Sequence, residues 1–221
     1  MNDINQVLGK LLGSGAAGGF AGGLAGGLAS NLLTTKSGRK LGKKTLKMGG
    51  IAAVGALAYA AYQRYSSGSQ TPDSSAAAAE AAIPPAPPGS AFLPAENDVA
   101  GQNNLALTLV RAMIAAARSD GRLDAQESQA IFQRIESLGL SPDEQALLVG
   151  EMGRPVDMDA IVQSATCPEV AAEIYLASLL AVDVDTPAEK SYLAMLAARL
   201  GLAPELVAEL HRQVEAQRDA V

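Results

Sequence analysis

Asp120-Gly-Arg-Leu-Asp124-Ala-Gln-Glu127 returns, in altered form, as Asp183-Val-Asp185-Thr-Pro-Ala-Glu189. Each block leads into an apolar helical pattern that ends in Leu-Gly-Leu, at Leu138-Gly139-Leu140 and at Leu200-Gly201-Leu202. The offset is 62 positions both from Glu127 to Glu189 and from Gly139 to Gly201. A repeat that carries one acidic cluster twice implies a fold of two halves, with two sets of oxygen ligands brought together.

The apolar spacing of residues 101–221 is helical throughout. Leu105, Leu109, Met113 and Ala117 share one helical face, with Val110 and Ile114 beside it. Similar spacing runs through Ala125–Leu138, Pro142–Met152, Pro168–Val182, Pro187–Leu200 and Pro204–Ala216, with a shorter helix over Met158–Ser164. No stretch sustains period-two alternation, so the fold class is all-α. Ser141-Pro-Asp-Glu144 and Thr186-Pro-Ala-Glu189 each combine an N-cap, a proline at N1 and a capping-box acid. Asp124-Ala-Gln-Glu127 is a third box without the proline, and Thr166-Cys-Pro-Glu169 a looser fourth.

Capping explains Asp124, Glu127 and Glu189 without any ligand. It does not explain Asp120 and Asp183, which fall where the preceding helix ends, at the negative pole of its dipole. Asp185 lies close to Asp183 and adds to the charge. A compensating hard cation is one account, because Ca²⁺, Mg²⁺ and Mn²⁺ prefer carboxylate and carbonyl oxygens. Plain caps and solvated charges are the other. The repeat does not match the EF-hand loop.

The formal charge of −6 is unevenly spread. Residues 1–66 hold eight basic side chains against Asp3 alone, residues 67–100 four acids and no base, and residues 101–221 nine basic against 18 acidic groups. A basic, glycine-rich head on an acidic body suits contact with a membrane surface. The basic loop has no interleaved aromatics and no reading helix, which argues against nucleic acid as a partner.

In the head, Gly15, Gly19, Gly23 and Gly27 recur every four residues, beside Gly18, Gly22 and Gly26. In water each would cost a helix ~1 kcal/mol relative to Ala. In lipid, small-xxx-small faces let helices approach closely, so this run reads as a membrane-packing surface able to form homo-oligomers, with a low-complexity tail as the alternative. A second apolar run, Met48–Tyr62, covers only ~22 Å against a hydrocarbon core of ~30 Å. Tyr59 and Tyr62 stand at its end, where interfacial aromatics belong, and Lys43, Lys44 and Lys47 precede it. It reads as one short span or as an interfacial helix. Residues 67–100, rich in Ser, Ala and Pro, have the chemistry of a disordered tether.

Catalytic signals are sparse. Cys167 is the sole cysteine, so neither an intrachain disulfide nor a thiolate zinc cluster forms. No histidine neighbours it in sequence to make a nucleophile pair. His211, the one histidine, reads as a solvated helix-face residue. No phosphate-cradling loop is present.

Ala116-Ala-Arg-Ser-Asp-Gly-Arg-Leu-Asp-Ala-Gln-Glu127 resembles the first acidic motif of the TerB-like domains, named for tellurite-resistance protein B, and Leu180–Glu189 resembles the second. The basic segment and Lys47-Met-Gly-Gly-Ile-Ala-Ala-Val-Gly-Ala-Leu-Ala-Tyr59 resemble the YebE-like bacterial inner-membrane proteins, a family of unknown function. The resemblance implies a pseudo-twofold helical domain over 101–221. It places Asp120, Glu127, Asp183 and Glu189 at divalent-metal positions. The second motif departs by lacking Asp-Gly and by being one residue shorter. The reading that follows is a non-catalytic module of the bacterial inner membrane that binds a divalent cation and recruits a protein partner. Its rivals are a metal-dependent hydrolase on the same scaffold and a glycine-zipper membrane oligomer.

Overall fold

The computed structural model describes residues 4, 7, 8, 50–67, 85–119, 141–182, 184 and 186–219. They form α1 (Gly50–Ser66), α2 (Val99–Ala117), α3 (Pro142–Met152), α4 (Met158–Gln163), α5 (Pro168–Leu180), α6 (Pro187–Arg199) and α7 (Pro204–Asp219). No strand occurs among the described residues; Ser90 and Leu93 form one isolated bridge. The all-α expectation holds. The helix expected over Ala125–Leu138 lies outside the described residues.

α5 is the axis. Every residue from Ala171 to Leu180 is buried, because the helix is apolar on all sides and α2, α1, α7 and α6 pack around it. α2 makes the most extensive pairing with it. Ala106 and Ala112 on α2 and Ala172 and Ala177 on α5 are fully buried, and such small side chains let two backbones come close. At the crossing the Ser178 hydroxyl lies 3.0 Å from the Ile174 carbonyl and 3.3 Å from the Ala112 carbonyl of α2. The large members, Ile174, Leu176 and Leu179, each contribute ~2 kcal/mol of apolar burial.

The helix starts obey their local chemistry. Ser141 and Thr186 close full capping boxes with Glu144 and Glu189, each ahead of a proline at N1. Cys167 occupies the N-cap of α5 without a side-chain cap bond. Asp98 and Asp157 cap α2 and α4 through the amides of Gly101 and Ala160. α6 ends in a Schellman motif: Leu202 N–H donates to Ala197 O and Gly201 N–H to Ala198 O, with Gly201 at φ 66°. The repeat is visible in the helix starts, since Pro142 opens α3 and Pro204 opens α7 at the same offset of 62 as the Leu-Gly-Leu marks.

α1 is the main departure from the sequence reading. It is the apolar run read as a short span or interfacial helix, and it lies against α5 and α7 inside the helical body. Ile51, Val54, Ala58 and Ala61 join the body's core, as do Ile4, Val7 and Leu8 from the start of the chain. Its 17 residues reach ~26 Å, below the ~30 Å of a bilayer core. Among the described residues no helix is long and apolar enough to cross a membrane. The stretch 85–98, assigned by composition to the tether, folds back as well: Ala86 and Phe92 are buried. One aromatic residue in a Pro-rich segment supplies the apolar area that fixes it.

Candidate functional site: the seat of α1 and the acidic loops

The seat begins with Gly55. A Cβ there would fall almost on the Phe92 carbonyl oxygen and 3.1 Å from Glu173 Oε1. Only glycine lets α1 press so closely on α5 and on the 85–98 strap. One turn further, Tyr59 and Tyr62 each meet Phe92 edge-to-face, ring centroids 5.5 Å apart. These are the two tyrosines that the sequence assigns to membrane packing. On the far side Arg64 reaches Glu209 of α7 at 3.3 Å, and Arg212 pairs with the same buried carboxylate.

Glu173, on the central helix, has no exposed surface, and neither carboxyl oxygen has a hydrogen-bond partner among the described residues. Burial pushes it well above the usual carboxylate range. An ionised carboxylate left there unpaired costs on the order of several kcal/mol. Nothing in the local sequence flags it: Pro168–Leu180 reads as an apolar helix with two acids, and Glu173, unlike Glu169 in the first turn, falls inside because every side of α5 is covered there.

Two further polar clusters frame the body. Arg111 of α2 grips Glu151 of α3 in a bidentate pair, Nε to Oε2 at 2.6 Å and Nη2 to Oε1 at 3.0 Å. The Arg111 hydrogen bonds hold Glu151 below its ordinary range. This pair lines a cleft of about 280 Å³ with Arg154, Val156 and Asp157. On the other side Tyr175 Oη and His211 Nε2 are 2.9 Å apart. Burial pushes the phenol up to about 12, so Tyr175 stays protonated and is able to donate to a neutral imidazole. His211 is half-buried and bonded to the central helix, which corrects its reading as a solvated residue.

Of the acids singled out for a cation, Asp120, Asp124, Glu127, Asp183 and Asp185 lie outside the described residues, as do Gly15, Gly19, Gly23 and Gly27. Glu189 is described. Its Oε2 accepts from Thr186 N at 3.1 Å and from Thr186 Oγ1 at 3.0 Å, which is the work of a cap. α2 ends at Ala117 and α5 at Leu180, each three residues ahead of the aspartate placed at its negative pole. Val184, between Asp183 and Asp185, has φ 48°, a left-handed conformation that a β-branched residue rarely adopts. Among the described residues no three His, Cys, Asp or Glu side chains are grouped to hold a metal.

A family model described as "Protein of unknown function (DUF533)" matches residues 18–214. An "Uncharacterized protein in ampR 5'region" of Yersinia enterocolitica is 26% identical over 113 residues, covering 51% of this chain and 81% of that protein. No solved structure matches.

Proposed function

We propose that this chain, which belongs to the DUF533 family, is a non-catalytic helical adaptor that its glycine-rich, basic head holds at the bacterial inner membrane. The observation that carries the reading is the fate of the head's two ends. Leu8 and Ile51 are both in the core of the body. Residues 9–49, which carry the glycine run and the lysine cluster, join these two buried positions. A chain that leaves and rejoins one body starts and ends on one side of a membrane, so Lys47, four residues before Ile51, is read on the body's face. The positive-inside tendency makes that face cytoplasmic. Lys36, Arg39, Lys40, Lys43, Lys44 and Lys47 would each contribute ~1 kcal/mol at an anionic leaflet. The acidic body is repelled by the same surface and is left facing solvent, where it recruits proteins.

The test is cosedimentation of the full chain with vesicles with and without anionic lipid. Binding should require anionic lipid, weaken with salt and fall sharply in Lys43→Glu/Lys44→Glu/Lys47→Glu. Equal binding to neutral vesicles, or none to either, would overturn the reading.

A second reading concerns a divalent ion at the two acidic blocks, as the TerB-like resemblance implies. Val184 supports it, because a strained β-branched residue between two aspartates is the kind of outlier retained at ligand loops. Asp120, Asp124, Glu127, Asp183 and Asp185 would supply the oxygens, with Glu189 shared between ion and cap. Calcium or magnesium should raise the melting temperature of the full chain, and Asp120→Asn or Asp183→Asn should abolish the gain. No shift at millimolar ion would leave caps alone.

A further inference from the structure

Glu173 is a carboxyl with no hydrogen-bond partner among the described residues, in the most buried helix of the body. Burial is the cause of its raised value, with no charged partner contributing among the described residues. α1 offers Gly55, with Tyr59 one turn on against Phe92, and its Arg64 is engaged by Glu209. The one charged group within α2, Arg111, is engaged by Glu151, and Arg118 after it donates to the Met152 and Arg154 carbonyls. On α7, Glu209 is shared by Arg64 and Arg212, and His211 meets Tyr175. On α6, Glu189 caps Thr186 and Arg199 pairs with Asp159, while Tyr192, pushed up to about 12 by burial, lies by Ser178. On the strap, Asp98 caps α2.

We propose that Glu173 is a proton-operated latch for α1: the neutral acid lets α1 and the 85–98 strap sit on α5, and the carboxylate drives them off. Two responses relieve a charge formed in a dry contact without a partner. The group keeps its proton, or the contact opens and water enters. α5 cannot yield, since four helices surround it. α1 can more readily: it packs chiefly on α5 and α7, and its ties beyond that packing include the Arg64–Glu209 pair and the Tyr59–Tyr62–Phe92 cluster. Gly55 puts no side chain between the carboxyl and the backbone of α1, so a small lift hydrates the charge.

The direction with pH follows. The seated state binds the proton more tightly than the open one. From the ordinary carboxylate range upward, seating weakens as pH rises, until the seated acid itself ionises. Lifting α1 also frees Ile51 from the core, so alkalinity would loosen the attachment of the basic segment that precedes it.

Amide hydrogen exchange of the full chain, followed over residues 51–62 from about pH 5 to about pH 9 and corrected for intrinsic rates, reads the latch. The opening constant of α1 should rise by up to ~tenfold per pH unit within the titrating range. Glu173→Gln should flatten that rise and keep α1 closed in alkali. Glu173→Leu, which removes the titrating group without leaving an amide to satisfy, should do the same and serves if the glutamine variant folds poorly. A wild-type opening constant that does not change with pH would overturn the proposal, as would a slope that survives in either variant.

Discussion

α1 and α5 are both apolar on nearly every face, and both are in the core, but they are apolar in different ways. α5 fills volume with Ile174, Leu176, Leu179 and Leu180. α1 brings backbone close with Ala52, Ala56, Ala58, Ala60 and Ala61 around Gly55. A helix hydrophobic all round belongs in a protein core or in a bilayer, and its sequence alone does not say which. Small residues at helical spacing serve close packing in either solvent. Lysines before α1 and tyrosines after it are bilayer signals; in the structure Tyr59 and Tyr62 meet Phe92.

Truncation in each helix separates the two. Leu176→Ala, at a fully buried position on α5, should lower unfolding free energy by about 3–4 kcal/mol in a denaturant titration. Ile51→Ala on α1 should lower it by about 2–3 kcal/mol. If α1 were independent of the body, that second value would be near zero. Gly55→Ala discriminates by sign. A free or lipid-bound helix would gain ~1 kcal/mol from the better helix former. Here the new Cβ meets the Phe92 backbone, so a net loss of about 1 kcal/mol is expected in the melting of the chain.

Two smaller effects serve as controls outside the α1–α5 contact. Glu151→Gln should cost about 1 kcal/mol near neutrality, since the pair is bidentate but Arg111 is partly exposed. Because Glu151 is held low, its contribution is present above the ordinary carboxylate range and fades as pH falls through its lowered value. That is the opposite sense to Glu173, so stability measured across pH in the two glutamine variants should diverge in opposite directions from wild type. Thr186→Ala should cost up to ~1 kcal/mol by opening the capping box of α6. A loss no larger in millimolar calcium or magnesium would mean that Glu189 acts as a cap alone.

What was legible in the sequence was punctuation and period. Pro142, Pro168, Pro187 and Pro204 each mark the first residue of a helix, and Ser141 and Thr186 announce their boxes, because capping is decided within four residues. The return of Phe92 onto α1, the burial of Glu173 and the bond between Tyr175 and His211 were not legible. Each depends on which faces meet across distant parts of the chain, and no local pattern encodes that. The candidate cation site was legible only as a repeated acidic pattern, and of its members the structure describes Glu189 alone, in a cap.

The claim on which the account rests is that α1 is part of the body. Spin labels at two exposed positions, Gln63→Cys on α1 and Arg212→Cys on α7, in a Cys167→Ser background, measure it directly. At about pH 5, near the ordinary carboxylate range where seating has weakened least, the account predicts a single narrow short-distance distribution, the same with and without anionic vesicles. A broad or long distribution in buffer, or one that shifts to long distances when vesicles are added, would contradict it.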